Sequence, residues 1–232
     1  MREIVFDTET TGLDPYQGDR LVEIGCIELL NGFPTGNSFH RYLNPERDMP
    51  EGAFNVHGLS IEFLKDKPLF ADVCEEFLAF VADAPLIAHN AMFDLGFINA
   101  ELERCKRPLL QRDRLVDTLM LARRRYPAGP NWLDDLCARF SIDASRRTKH
   151  GALLDAELLA EVYVELTGKR QARLGLTDMP VGVTQQMIVT VRVRPTPLGP
   201  RLTEVERMAH RAFVATLGEK AIWKDYWTEA RV

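Results

Sequence analysis

The sequence has few cysteines, no long apolar run and no surplus of positive charge, and each absence excludes a class of protein. Cys26, Cys74, Cys105 and Cys137 lie far apart, and none forms a C-x-x-C pair. Neither a zinc site nor a disulfide framework is expected; reduced thiols in a cytoplasmic protein are. No stretch is long and apolar enough for a membrane helix, and the chain enters the apolar run Ile4-Val5-Phe6 almost at once, which leaves no room for a signal peptide. Residues 171–232 hold nine Lys/Arg against six Asp/Glu, a net of +3; with −5 for the whole chain, the remainder carries −8. A protein that grips duplex nucleic acid unaided usually shows a basic footprint, so an acidic body argues against tight autonomous DNA binding. It suits a site that recruits cations and sees only a few nucleotides.

What is present is ordinary globular material. The 232 residues are 46% hydrophobic and 27% charged, enough for one full domain plus a small appendage. Patterning predicts strands at 3–9, 20–30 and 38–43, with a turn-rich loop at 10–19 and a turn at Asn31-Gly32. Helical spacing follows at 61–64 and 73–82, then a short buried strand at 85–89 and a helix at 91–104. Further helices are expected at 115–125, 133–140 and 153–167, the last stopped by Gly168. Strands first and helices threaded in afterwards predict an α/β domain, a mixed sheet flanked by helices. Beyond it the texture changes. Residues 177–200 read as a linker with an extended β-branched segment at 187–193. Residues 203–217 read as an amphipathic helix with Thr203 as N-cap, Glu206 three residues on, and Val205, Met208, Ala209, Ala212, Phe213 and Leu217 on one face. Trp223, Tyr226 and Trp227 follow, and so much apolar surface on so short a piece predicts an interface with another protein.

The functional signal is a set of acidic residues that folding alone would not place where they are. Alternation along the first strand puts Asp7 and Glu9 on one face, two like charges at the end of an apolar strand. One of them capping the following turn is the bland alternative. A divalent cation is the other, because carboxylate oxygens suit Mg²⁺ and Mn²⁺. Asp94 lies in the first turn of its helix, with Phe97 and Ile98 on the same face, so it points inward. Asp155 repeats the arrangement with Leu158, Leu159, Val162 and Leu166. His150 stands on the loop five residues earlier, and a histidine beside an inward carboxylate is a candidate base. Four inward carboxylates and one histidine at element ends suit two-metal hydrolysis of a phosphodiester.

These residues fall in three segments, Asp7-Thr8-Glu9-Thr10-Thr11-Gly12, His89-Asn90-Ala91-Met92-Phe93-Asp94 and His150-Gly151-Ala152-Leu153-Leu154-Asp155, which resemble the three exonuclease motifs of the DEDDh family in order. The resemblance implies an RNase H-like fold and a 3′-5′ exonuclease that releases nucleoside 5′-monophosphates. Carried over by position, Asp7 would bridge both metals, Glu9 and Asp155 would join it on the one that binds the attacking water, Asp94 would support the second, and His150 would be the general base. Thr8, Thr10 and Gly12 would contact the terminal nucleotide, with Val56 and His57 near its sugar and base. Leu13 and Phe93 would pack on the base, and Asn90 would lie close by. Further segments, among them Asn55-Val56-His57-Gly58-Leu59 and Leu133-Asp134-Asp135-Leu136-Cys137-Ala138-Arg139-Phe140, are similar to the epsilon proofreading family of bacterial DNA polymerase III.

That likeness implies three regions: an exonuclease domain at 1–170, a linker at 171–200 and a helical tail at 201–232. The linker holds a peptide that resembles a sliding-clamp motif, with Gln171, Leu174 and Leu176, the last standing where phenylalanine is frequent. The tail is similar in kind to one that binds the polymerase alpha subunit, through Phe213, Leu217 and Trp223. Implied partners are a single-stranded or frayed DNA 3′ end, the alpha subunit, the clamp and a small accessory core subunit. The implied location is the bacterial cytoplasm, at the replication fork on the nucleoid. Two other readings remain at this point: a free-standing DEDDh exonuclease acting on RNA or single-stranded DNA, and a catalytically silent adaptor between clamp and polymerase. The first should carry its own basic surface, and the second would tolerate a broken set of motifs.

Overall fold

The first strand, β1 (Arg2–Thr10), runs down the middle of the sheet and divides the core in two. Ile4 and Phe6 enter one apolar cluster with Phe70, Phe77 and Ile98, whereas Val5 enters another with Leu136, Leu158 and Val162. The period of two along a strand requires this, and a strand covered on both faces reads as a continuous apolar run. Each fully buried side chain of this size contributes about 1.5–3 kcal/mol of transfer free energy.

The structure, a computed structural model, describes residues 1–168, 202–218 and 222–223. The described residues fall in two units, the first ending after the last helix of the domain and the second containing the tail helix. In the first unit β1 pairs antiparallel with β2 (Leu21–Leu30), and β2 pairs antiparallel with β3 (Phe33–Tyr42). Asn31 and Gly32 join β2 to β3 with φ of 55° and 85°, the two positive values that a tight two-residue hairpin needs. On the other side, β4 (Leu86–Ala88) lies parallel to β1 and β5 (Leu115–Asp117) parallel to β4, so the order is β3-β2-β1-β4-β5.

Seven helices belong to this unit: α1 (Glu51–His57), α2 (Ile61–Leu64), α3 (Phe70–Val81), α4 (Ala91–Arg104), α5 (Thr118–Arg125), α6 (Leu133–Phe140) and α7 (Ala152–Thr167). Helices α3 and α4 supply the first cluster; α6 and α7 cover the other face. A buried hydrogen bond of 2.7 Å from Tyr163 Oη to Glu3 ties α7 to the start of β1. The mixed sheet flanked by helices is the fold class that the patterning predicts.

Three local expectations need correction. Residues 115–125 are not one helix: 115–117 form β5, and Asp117 then caps α5 through Leu119 N and Met120 N. Pairing with β4 overrides helical spacing there. The third strand starts at Phe33 rather than residue 38, because the hairpin lets it pair from the turn onward. Helix α1 was not anticipated; Gly58, at φ 75°, ends it. The four cysteines carry free thiols, and among the described residues no helix is long and apolar enough to cross a membrane.

In the second unit, α8 (Glu204–Thr216) begins with the capping box expected from Thr203 and Glu206. Thr203 Oγ1 accepts from Glu206 N at 3.3 Å, and Glu206 Oε2 accepts from Thr203 N at 2.8 Å.

Candidate active site

The catalytic candidates meet because three element ends meet. Asp7 and Glu9 leave β1 near its C-terminal end; β4 runs parallel beside it and delivers α4, with Asp94 in its first turn. Asn90 makes the tight entry into α4 at φ 64°, a left-handed conformation that asparagine tolerates. Thr8 Oγ1 donates to Asp94 Oδ1 at 2.6 Å, which fixes the carboxylate against β1. Asp155, in the first turn of α7, completes the set. Asp7, Glu9, Asp94, Asp155 and His150 all line one cavity of about 490 Å³.

Helix α7 can lie this close because Gly25 has no side chain. Gly25 pairs with Asp7 across β2 and β1, and a Cβ on it would fall 2.3 Å from Leu153 N. The loop before α7 is tied to α1: His150 N donates to Val56 O at 3.3 Å.

Burial and mutual repulsion shape the electrostatics. Desolvation, then the charges of Asp94, Glu9 and Asp155, hold the Asp7 carboxyl well above its ordinary range. Burial, followed by Asp155, Glu23 and Asp94, pushes Glu9 up to about 8. Burial raises Asp94 to about 7, even though the Thr8 hydroxyl favours its charged form. Asp155 goes the other way: burial opposes ionisation, but hydrogen bonds from His150 and Arg147 outweigh it. Acidic groups this crowded call for a cation. One ligand atom each from Glu9, His150 and Asp155 lies within 4.8 Å of the others, a hard oxygen-rich donor set that fits a divalent metal.

Several neighbours were not singled out from the sequence. Glu23, buried on β2 and paired with Glu9, accepts from or shares a proton with His40 Nε2 at 2.7 Å. His89 lines the cavity with Nδ1 2.9 Å from Thr118 Oγ1. Trp132, exposed at the start of α6, also lines it. Arg147 reaches Asp155 with Nε and Nη2 at 2.6 and 2.7 Å. Strand alternation could have flagged Glu23; nothing local flags Arg147 or Trp132.

A second cavity adjoins the first, with Thr8, Glu9 and Phe93 bordering both. It is predominantly apolar, and Thr8, Thr10, Gly12, Leu13, Val56 and His57 line it. Of the residues expected around a terminal nucleotide, Asn90 alone stands apart, on the first cavity. Leu13 is exposed, whereas His57 is buried.

Residues 4–163 match the family described as Exonuclease, of the RNase T type. The chain is 48% identical over 222 residues to DNA polymerase III subunit epsilon of Rickettsia felis, which covers 94% of this chain and 97% of that one. The chain belongs to the epsilon family of exonucleases. The epsilon subunit of Escherichia coli K12 is likewise 48% identical over 195 residues, 80% of this chain and 78% of its own. Among solved structures, the nuclease domain of 3′hExo, a DEDDh family member bound to rAMP, superposes with a TM-score of 0.61 at 14% identity, covering 72% of this chain and 92% of that one. Exonuclease X in complex with 5′ overhanging duplex DNA gives 0.55 at 23%, covering 71% and 90%. These likenesses show the shared RNase H-like fold. The chain is a 3′-5′ exonuclease of the epsilon type.

The C-terminal tail is described only in part. Phe213, Leu217 and Trp223 are exposed, as are Val205 and Met208, and the Trp223 ring meets His210 edge-on at 6.1 Å. Gln171, Leu174 and Leu176, the segment 187–193, and Tyr226 and Trp227 lie outside the described residues.

Proposed function

We propose that this epsilon-type exonuclease proofreads a bacterial replicative polymerase, removing nucleotides from DNA 3′ ends and releasing nucleoside 5′-monophosphates. The observation that carries the chemistry is the convergence of Asp7, Glu9, Asp94, Asp155 and His150 on one cavity. The four carboxylates would hold two divalent ions, Mg²⁺ or Mn²⁺, which would supply the charge that stabilises the attacking and leaving oxygens of the phosphodiester. Asp7, which feels the charges of Asp94, Glu9 and Asp155, would serve both ions; Glu9 and Asp155 would join it on the one that binds the attacking water, and Asp94 would support the other. His150 acts as the general base. With its Nδ1 3.2 Å from Asp155 Oδ2, Nε2 is the atom that takes the proton of the attacking water.

The neighbouring apolar cavity suits the terminal nucleotide. Leu13 and Phe93 pack on its base, while Thr8, Thr10, Gly12, Val56 and His57 surround the sugar and base and Asn90 approaches from the catalytic side. The acidic body is compatible with this because tethering to a polymerase replaces intrinsic affinity with local concentration. The exposed apolar residues of α8 and Trp223 form that tether to the polymerase alpha subunit, and Gln171, Leu174 and Leu176 dock on the sliding clamp. A small accessory subunit joins the same core.

The test is incubation of the full chain with Mg²⁺ or Mn²⁺ and 5′-labelled single-stranded DNA, beside Asp7→Ala and EDTA controls. Stepwise 3′ shortening to mononucleotides, absent in both controls, is expected. No cleavage with either metal would favour the adaptor reading.

A further inference from the structure

The guanidinium of Arg147 is packed among the acidic side chains of the site. Its side chain is 8% exposed and that of Asp155 3%. Nε and Nη2 take both oxygens of Asp155, at 2.6 and 2.7 Å, and Nη1 bonds Asp134 at the rim. The same Nη2 lies 2.7 Å from His150 Nδ1. Asp155 and His150 are two of the three residues whose ligand atoms cluster closely enough to hold a metal ion, the third being Glu9. One side chain thus occupies most of the donor set that a cation needs.

We infer that Arg147 is an internal counter-cation that competes with divalent metal for Asp155 and His150 and withdraws from both when metal is held. This rests on the metal-dependent reading above and goes beyond it by assigning a residue that sets metal affinity. Two features support competition over simple support of the site. First, both Asp155 oxygens are engaged and the side chain is buried, so an ion held on Asp155 and the guanidinium would be two cations on one carboxylate. Second, the same Nη2 stands 2.7 Å from His150 Nδ1, so one guanidinium engages two of the three clustered donors at once. Asp134, near the rim with its side chain 69% exposed, offers the guanidinium a partner outside the donor set. Without metal, the guanidinium then compensates the Asp155 charge.

The experiment is calorimetric titration of Mn²⁺, without nucleic acid, into the full-length protein and its Arg147→Met and Arg147→Lys variants, with thermal unfolding in EDTA alongside. Arg147→Met keeps the length and removes the charge. It should bind Mn²⁺ about tenfold tighter or more, since a positive charge this close to a cation repels it even at an intermediate dielectric. It should also unfold at a lower temperature in EDTA. Arg147→Lys keeps the charge but loses the planar fork that spans Asp155 and His150, so its affinity should lie between the two. Weaker or unchanged Mn²⁺ binding in Arg147→Met would overturn the inference, as would unchanged binding in Arg147→Lys if the methionine variant does not fold. Mn²⁺ binding by wild type with unaltered affinity in the variants would sink this inference alone. Binding by none of the three proteins would sink the metal reading with it.

Discussion

A methyl group on Gly25 would stand 2.3 Å from the backbone nitrogen of Leu153. The strand position opposite Asp7 is therefore empty of side chain so that the first turn of α7, with Asp155 in it, can rest on the sheet. The distance between the first and last carboxylates of the site is set by an atom that is not there.

Gly25→Ala should accordingly lift the N-terminus of α7, since the clash is with backbone and cannot be relieved by a rotamer change. Overpacking of this kind costs about 1–3 kcal/mol, and turnover should fall along with stability. Gly96→Ala, where a Cβ meets nothing within 4 Å on a helix, should keep activity and gain up to about 1 kcal/mol. Denaturant unfolding and exonuclease rates of the two variants check this; an active, fully stable Gly25→Ala would contradict it.

The metal-free protein should lose stability as pH rises. Glu9, at about 8 instead of 4.5, and Asp94, at about 7 instead of 3.8, keep protons in the native chain that the unfolded chain releases. The unfolded state then binds fewer protons across this window, so stability is full below about pH 4 and declines until about pH 8. Asp155 has the opposite sign, but its lowered value places its effect below the ordinary carboxylate range. Melting curves in EDTA from about pH 5 to 9 should slope downward, and saturating Mn²⁺ should flatten them. A curve in EDTA that rises with pH would refute the repulsion argument.

Asp7→Asn separates activity from stability. It removes one charge from the most crowded position, so unfolding in EDTA should shift to higher temperature. Loss of a metal-holding carboxylate should lower the exonuclease rate by about three orders of magnitude or more. Less stable metal-free protein would mean that Asp7 is satisfied in some other way.

Thr8→Val tests the bond to Asp94. A hydrogen bond to a charged group contributes about 1.5–3 kcal/mol, and here it favours the ionised form. Without it Asp94 should hold its proton to higher pH, so the acidic limb of the pH–rate profile should move up, while Thr8→Ser should restore the wild-type profile. An unmoved profile in Thr8→Val would show that Asp94 ionisation does not limit the rate.

Deletion of residues 177–232 should leave exonuclease activity on oligonucleotides and abolish co-elution with the polymerase alpha subunit in gel filtration. An inactive truncation would mean that the tail completes the catalytic fold.

Much of the site is legible in the order of the residues alone. The period of two along β1 puts Asp7 and Glu9 on one face; helical spacing turns Asp94 and Asp155 inward; Thr203 and Glu206 announce the start of α8. These are local facts, carried by the periodicities of strand and helix and by the short reach of a capping side chain. Tertiary structure decided the rest. It split residues 115–125 into β5 and α5, because a short segment beside β4 gains more from pairing than from continuing a helix. It brought Glu23 against Glu9 through register, and Arg147 onto Asp155 and His150 through the packing of a loop. Whether carboxylates so far apart in the chain share one cavity depends on the parallel pairing of β4 with β1 and on the descent of α7 over Gly25. Periodicity tells each residue which face it occupies, but only long-range pairing and close packing determine which faces meet.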